Sequence, residues 1–428
     1  MGDSLRWGLV GGHEGEVHMR VVVAGAGIVG VATAIWCQRA GHDVTLVDRD
    51  GPAAEASHGN AGVLAAGGVI PVTVPGLARR APGMLLDRSS PLFLRWGYLP
   101  RLAGFLRAYL GHATEAHVRH YAGAMARLLG DAQAQHLDLA RGTGAERFVH
   151  PHDYAFGYGS DAARRADEWG WGIRRDAGVR FEEVAGDAYD DPFWRGRFAR
   201  VVVCRDHGRI SDPGAYVAAL FDHFRAEGGD FVRASVADVV LEDGRCTALE
   251  TDAGRVGGDA VVIALGAWAA PLARKLGARA LRFETERGYH VELVAPSAFP
   301  RDSMMVAEGK FAVNAMEGRI RCAGVVEFGG LRAPASRAPL TMLRRRIAAL
   351  FPDLTWKEER EWLGHRPATA DSLPLIGEAS GAFLAFGHQH VGLTGGPKTG
   401  RIVAGMIGKE AGEDWSAFAP ERHSGRKT

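Results

Sequence analysis

The amino-acid sequence predicts an α/β chain of two domains, and three observations carry that prediction. A β-α-β unit opens at Met19 around a glycine-rich turn. A buried-type strand ending in glycine follows at 258–268, and a strand, glycine loop and helix follow at 383–407. Stretches such as ETERGYHVELV alternate between apolar and polar residues, as a half-buried sheet does. With 428 residues, 46% hydrophobic and 24% charged, the chain is long enough to bury two cores.

The first element is the run MRVVVAGAGIVGVATAIWCQRAGHDVTLVDRD: a β-branched strand, a turn, an amphipathic helix, a glycine and a second apolar strand. Gly25, Gly27 and Gly30 form GxGxxG. The first permits the tight turn, the second lets backbone approach a pyrophosphate, and the third lets helix pack on strand. The helix start at Ile28 and Val29 offers unpaired N–H groups and a positive dipole end to phosphates. Asp48, with Arg49 beside it, ends the second strand, near the spacing of about 20 residues at which a carboxylate meets the adenosine ribose. The expected fold is therefore Rossmann-like and dinucleotide-binding. The motif alone does not separate FAD from NAD.

The next segments favour FAD. GPAAEASHGNAGVLAAGG, with Ser57, Asn60, Ala61, Gly62 and Val63, replaces the helix-and-strand repeat of a nicotinamide fold and suits a chain running extended along a long ligand. Gly266 and Trp268 end the strand of GDAVVIALGAW beside the first turn. In FLAFGHQHVGLTGGPKTGRIVAGMI the helix start at Gly392, Leu393 and Thr394 is positioned to aim N–H groups at the flavin O2 edge.

VVVAGAGIVGVATA, ASHGNAGVLA, VVIALGAW, GHRPATADSLPLIG and GHQHVGLTGGPKTGR, in this order, resemble the D-amino-acid oxidase superfamily. The likeness covers Met19 to about Ile407 and is greatest to the bacterial D-amino-acid dehydrogenase, D-hydroxyproline dehydrogenase and glycine oxidase branches. It implies a discontinuous FAD-binding domain (19–80, 201–280 and 358–420) interleaved with an antiparallel-sheet substrate domain (81–200 and 281–357), a 1–18 extension and a 421–428 tail. It also implies a backbone contact from Val236 to adenine. Where sarcosine oxidases carry a flavin-linking cysteine this chain has Gly364, which implies non-covalent FAD.

The resemblance makes Arg366, in the Arg-Pro motif, the carboxylate anchor near the flavin, a task for which the guanidinium fork is suited. The residues alone equally allow a surface arginine paired with Asp371 or Glu378. His388 and His390 flank the flavin-facing loop, where they have the chemistry to donate to carboxylate, tune the flavin or take the substrate proton. Their i, i+2 spacing without a third ligand points to no metal. Tyr289 is a candidate carboxylate ligand through its hydroxyl, the alternative being a sheet tyrosine. Phe311 and Val313 stand where glycine oxidases carry a substrate tyrosine, and Glu327 is expected to support the sheet.

From about 70 to 128, Leu, Phe, Trp and Tyr are interleaved with Arg79, Arg80, Arg88, Arg95, Arg101 and Arg107 and broken by prolines. A helical cover over the FAD domain is favoured over peripheral membrane contact, because arginine stems pack on apolar surface. No run of about 20 apolar residues predicts a transmembrane helix. The net charge of +1 gives no field to draw nucleic acid. Cys37, Cys204, Cys246 and Cys322 lie far apart and read as free thiols of a cytoplasmic protein. Residues 1–18 match no secretory signal and read as a dispensable leader.

The expected activity is oxidation of a D-amino acid or cyclic D-imino acid of the D-proline or cis-4-hydroxy-D-proline type by hydride transfer from Cα to flavin N5. Oxygen, quinone or a carrier protein is the expected acceptor. A glycine- or sarcosine-type oxidase is the alternative enzyme, and a non-catalytic FAD-fold binding protein the alternative from another class.

Overall fold

The computed structural model describes residues 18–86 and 90–425; residues 1–17 of the expected leader, residues 87–89 with Arg88, and residues 426–428 lie outside them. Two large sheets and one small one organise the described residues. The first strand, Arg20–Ala24, has an apolar run buried on both faces and sits at the centre of a six-stranded sheet. It pairs in parallel with Asp43–Asp48 on one side and Ala260–Ile263 on the other. Asp230–Arg233 extends one flank; Ala382–Phe386 and the antiparallel Leu375–Ala379 extend the other. Near-continuous apolar strands of this kind need cover on both faces.

Helices Ile28–Arg39, Pro213–Ala226 and Gly392–Ile407 supply part of that cover. The first and last of these helices approach closely because Gly400 lacks a side chain: a Cβ there would stand 2.6 Å from the Thr33 amide.

The second sheet has ten strands, mostly antiparallel, built around Val149–Tyr158, Arg200–Ile210, Phe283–Val294, Arg319–Phe328 and Glu358–Thr369. The expected limits at 201 and 358 thus fall at strands of this sheet. One face packs on helix Arg337–Leu350 through Val291, Leu293, Leu343 and Ile347. A separate three-stranded meander spans Val236 to Gly257.

Two expectations need correction. The stretch after Asp48 is not extended throughout: it holds a helical turn, Ala56–Gly59, closed by Asn60, whose side-chain amide donates to the carbonyls of Ala56 and Ser57. Gly59 lets the Trp362 indole lie against that turn, since a Cβ would come within 2.2 Å of the ring. The arginine-rich cover also does not lie wholly over the six-stranded sheet. Helix Leu99–Gly111 buries Leu102, Phe105 and Tyr109 against Phe328 and Ala368 of the large sheet, with Arg101 and Arg107 exposed. Helix Glu115–Leu129 packs toward the Rossmann-like half. An apolar stripe selects the nearest apolar surface, and helical periodicity does not say which surface that is.

Candidate active site

A cavity of about 1490 Å³ runs from the end of the six-stranded sheet to the face of the large one. It exceeds the roughly 300–1,000 Å³ that holds one drug-sized ligand, leaving room for a dinucleotide and a small substrate together.

At the first end, the strand Arg20–Ala24 delivers a turn in which glycine is required. Gly25 has φ +107°, its amide donates to the Val47 carbonyl (2.8 Å), and a Cβ would stand 2.5 Å from the Ala264 oxygen. At Gly30 a Cβ would stand 1.8 Å from the Gly25 oxygen. Gly27, extended at the helix start and without a side-chain cap, opens on Ser57. Ser57 Oγ accepts the Ile28 amide at 3.0 Å, and the remaining first-turn amides face out of the helix end. Asp48 accepts from the amides of Ala26, Asp50 and Gly51 at 2.8–3.0 Å. A carboxylate offers about four lone-pair sites, so one remains on Oδ2 for a ribose hydroxyl. Arg49 bonds Asp50 and Glu55 and stacks over Trp268 at 4.5 Å.

The cradle thus fits an adenine dinucleotide on its own geometry. Asn60 to Val63, Val236, Gly266, Trp268, Gly392 and Leu393 continue along the same cavity wall. Gly30 and Thr394 do not line it. Gly30 serves helix-to-turn packing, and the Thr394 hydroxyl is engaged by the Ala65 amide and the Val63 carbonyl, tying the middle segment to the C-terminal helix.

At the other end, strands Phe283–Val294 and Glu358–Thr369 pair in a register that sets Glu286 opposite Arg366 and Gly288 opposite Gly364. Residues two apart share a face, so all four lie on the cavity side. The Arg366 guanidinium crosses Gly288: a Cβ there would stand 2.3 Å from Cζ. One guanidinium nitrogen donates to the Val325 carbonyl (2.9 Å). Neither surface partner allowed by the residues holds Arg366, because Asp371 bonds Arg422 and Glu378 lies near Arg245. Glu286, 1% exposed, accepts from His390 Nε2 (2.6 Å) and from the Tyr109 hydroxyl (3.0 Å). Burial pushes its carboxyl up, but His390, Arg366 and Tyr109 together outweigh that and hold it below the ordinary value.

The remaining candidates separate. His388 is buried, its Nε2 meets Thr399 Oγ1 (2.9 Å), and burial lowers its pKa to about 4, so it is neutral at pH 7. Tyr289 borders the cavity, but its hydroxyl donates to Glu327 (2.5 Å) and accepts the Ser336 amide (3.0 Å). Of the two readings this is the sheet tyrosine, its hydroxyl engaged by Glu327 and Ser336. Glu327 also pairs with the fully buried Arg287 at 2.9 Å and so supports the sheet. Glu286, Gly288 and Tyr109 were not singled out from sequence. The one available signal was a glutamate and an arginine at successive positions of a strand otherwise fit for burial.

Comparison with known proteins bears on the family and the fold. The family described as DAO, FAD dependent oxidoreductase, matches residues 20–406. A protein named D-amino-acid oxidase from Bradyrhizobium diazoefficiens is 38% identical over 94% of this chain and 98% of its own length. A D-amino acid dehydrogenase from Rhizorhabdus wittichii is 31% identical over 91% and 96%. Among solved structures, glycine oxidase from Geobacillus kaustophilus superposes with a TM-score of 0.69 at 22% identity, covering 95% of this chain and all of that one. The chain therefore belongs to the DAO family of FAD-dependent oxidoreductases, and it is an FAD enzyme.

Proposed function

We propose that this enzyme oxidises the Cα–N bond of a D-amino acid, with cyclic D-imino acids of the D-proline or cis-4-hydroxy-D-proline type as favoured members of the class. The observation that carries the reading is the Arg366 guanidinium lying across Gly288, in the same cavity as the glycine cradle. An arginine fork matches a carboxylate with two parallel hydrogen bonds, and Arg366 keeps donors beyond the one given to Val325. A carboxylate held there directs the substrate nitrogen toward His390 and Glu286. FAD, when bound, supplies the two-electron acceptor for the hydride leaving Cα. The glycine cradle, Asp48 and the start of helix Gly392–Ile407 would hold it, and Leu102, Tyr109 and Phe328 line the same cavity. An open-chain imine product hydrolyses to the keto acid, and a cyclic one persists.

The same reading assigns the six-stranded sheet to the FAD domain and the ten-stranded sheet to the substrate domain. It puts the enzyme in the cytoplasm, which suits four cysteines that are all buried and unpaired. Among the described residues no helix is long and apolar enough to cross a membrane.

An anaerobic panel of D- and L-amino acids, D-proline and cis-4-hydroxy-D-proline, followed by flavin absorbance, tests it. Bleaching by D members, lost in Arg366→Ala while the protein stays yellow, is expected. Bleaching by L members alone, or by none, overturns it. Reoxidation of the reduced enzyme by dissolved oxygen, against a quinone or a carrier protein, then assigns the acceptor.

A further inference from the structure

We propose that Glu286 is a positioning residue that holds His390 with its proton on Nε2 and thereby sets Nδ1 to take the proton of the substrate ammonium before oxidation. This rests on the amino-acid reading above and names the proton acceptor of that site.

The geometry carries the assignment. An ionised carboxylate only accepts hydrogen bonds, and Glu286 Oε2 lies 2.6 Å from His390 Nε2. Nε2 must therefore donate, so that whenever the imidazole is neutral its lone pair lies on Nδ1. Among the described residues no hydrogen bond reaches Nδ1, and the ring, 36% exposed, lines the cavity. Glu286 cannot turn away, because Tyr109 donates to its other oxygen and it is sealed at 1% exposure. The Tyr109 phenol is no competing acid, since burial and the Glu286 charge push it well above its ordinary value. His388, tied to Thr399 and held neutral, has no such charge partner.

Charge balance explains why a buried glutamate stands on this wall. The titratable groups here include Glu286 and Arg366 from the paired strands, Tyr109 and Tyr121 from the covering helices, and His388 from the same loop, while Glu115, Lys310 and His365 line other parts of the cavity wall. Substrate carboxylate neutralises Arg366. An imidazolium formed at His390 would otherwise sit beside that arginine; Glu286 neutralises it. In the step itself an ammonium N–H bond breaks, its electron pair stays on nitrogen, and an Nδ1–H bond forms. Nothing is oxidised or reduced until the neutral amine is in place.

The test uses the FAD-loaded full chain with 13C-labelled histidines, whose ring signals report the tautomer by NMR without substrate. His390→Asn identifies the signal. In Glu286→Gln the Nε2–H tautomer preference of His390 should be lost, because an amide no longer fixes which ring nitrogen donates. Glu286→Asp should restore part of that preference. The rate of flavin reduction at saturating substrate should fall in Glu286→Gln and in His390→Asn. A His390 tautomer that is the same in wild type and Glu286→Gln overturns the proposal, as does wild-type flavin reduction in His390→Asn. A wild type that no amino acid bleaches sinks the functional reading instead, and the substrate-free comparison of tautomers still decides the coupling of Glu286 to His390.

Discussion

Gly288→Ala should disable substrate binding without touching the cofactor. The added methyl would meet Arg366 Cζ and one terminal nitrogen at 2.3 Å and the other at 2.6 Å, where carbon-scale contacts need about 3.5 Å. The guanidinium must retreat by about 1 Å. A misplacement of about 1 Å in a positioning group costs on the order of 100-fold, equivalent to about 2.7 kcal/mol of transition-state binding. Gly288 does not have a positive φ, so alanine meets no backbone penalty and the effect is steric. The assay is anaerobic flavin reduction at varied substrate concentration, with the flavin spectrum and the melting temperature recorded in parallel. The half-saturating concentration should rise steeply while the protein keeps its FAD. If the methyl acts through Arg366, Gly288→Ala in an Arg366→Ala background should add nothing, because residues in direct contact are not additive. Wild-type kinetics in the single variant, or full additivity in the double, would refute the reasoning.

Two further outcomes follow from the same structure. Tyr289→Phe should leave substrate kinetics unchanged while lowering stability to urea by about 1–3 kcal/mol, since buried Glu327 and the Ser336 amide each lose a partner; a large rise in KM would return Tyr289 to the substrate. Burial lowers His136 and His388 to about 4 and His290 to about 3. The unfolded chain binds these protons first, so stability should be full above pH 6.5 and fall as pH drops from 6.5 toward 4, by up to about 1.4 kcal/mol per pH unit for each histidine. A melting temperature that is flat across that window would contradict the burial of these rings.

The cofactor end of the site was legible because its determinants are local. Gly25, Gly27 and Gly30 sit at fixed offsets on one turn, and the steric reasons for each, at 2.5 Å and 1.8 Å from backbone oxygens for the outer two, are conditions on a few consecutive residues. Asp48 lies at the end of the very next strand. The helical turn Ala56–Gly59 was not legible, because Gly59 is demanded by Trp362, some 300 residues away along the chain.

By itself the sequence determined the β-α-β order, the nucleotide-binding turn and the glycine helix start, since periodicity and backbone geometry are written in neighbouring residues. Only the tertiary structure decided which polar side chains face the substrate. Glu286 meets Arg366 because two strands pair in one register, and the bridge between Ala368 and His388 then brings His390 onto the same carboxylate. Strand side chains alternate with a period of two, so a slip of one residue would turn Glu286 to the opposite face. That choice is made by the packing of the whole sheet, and no stretch of the sequence states it alone.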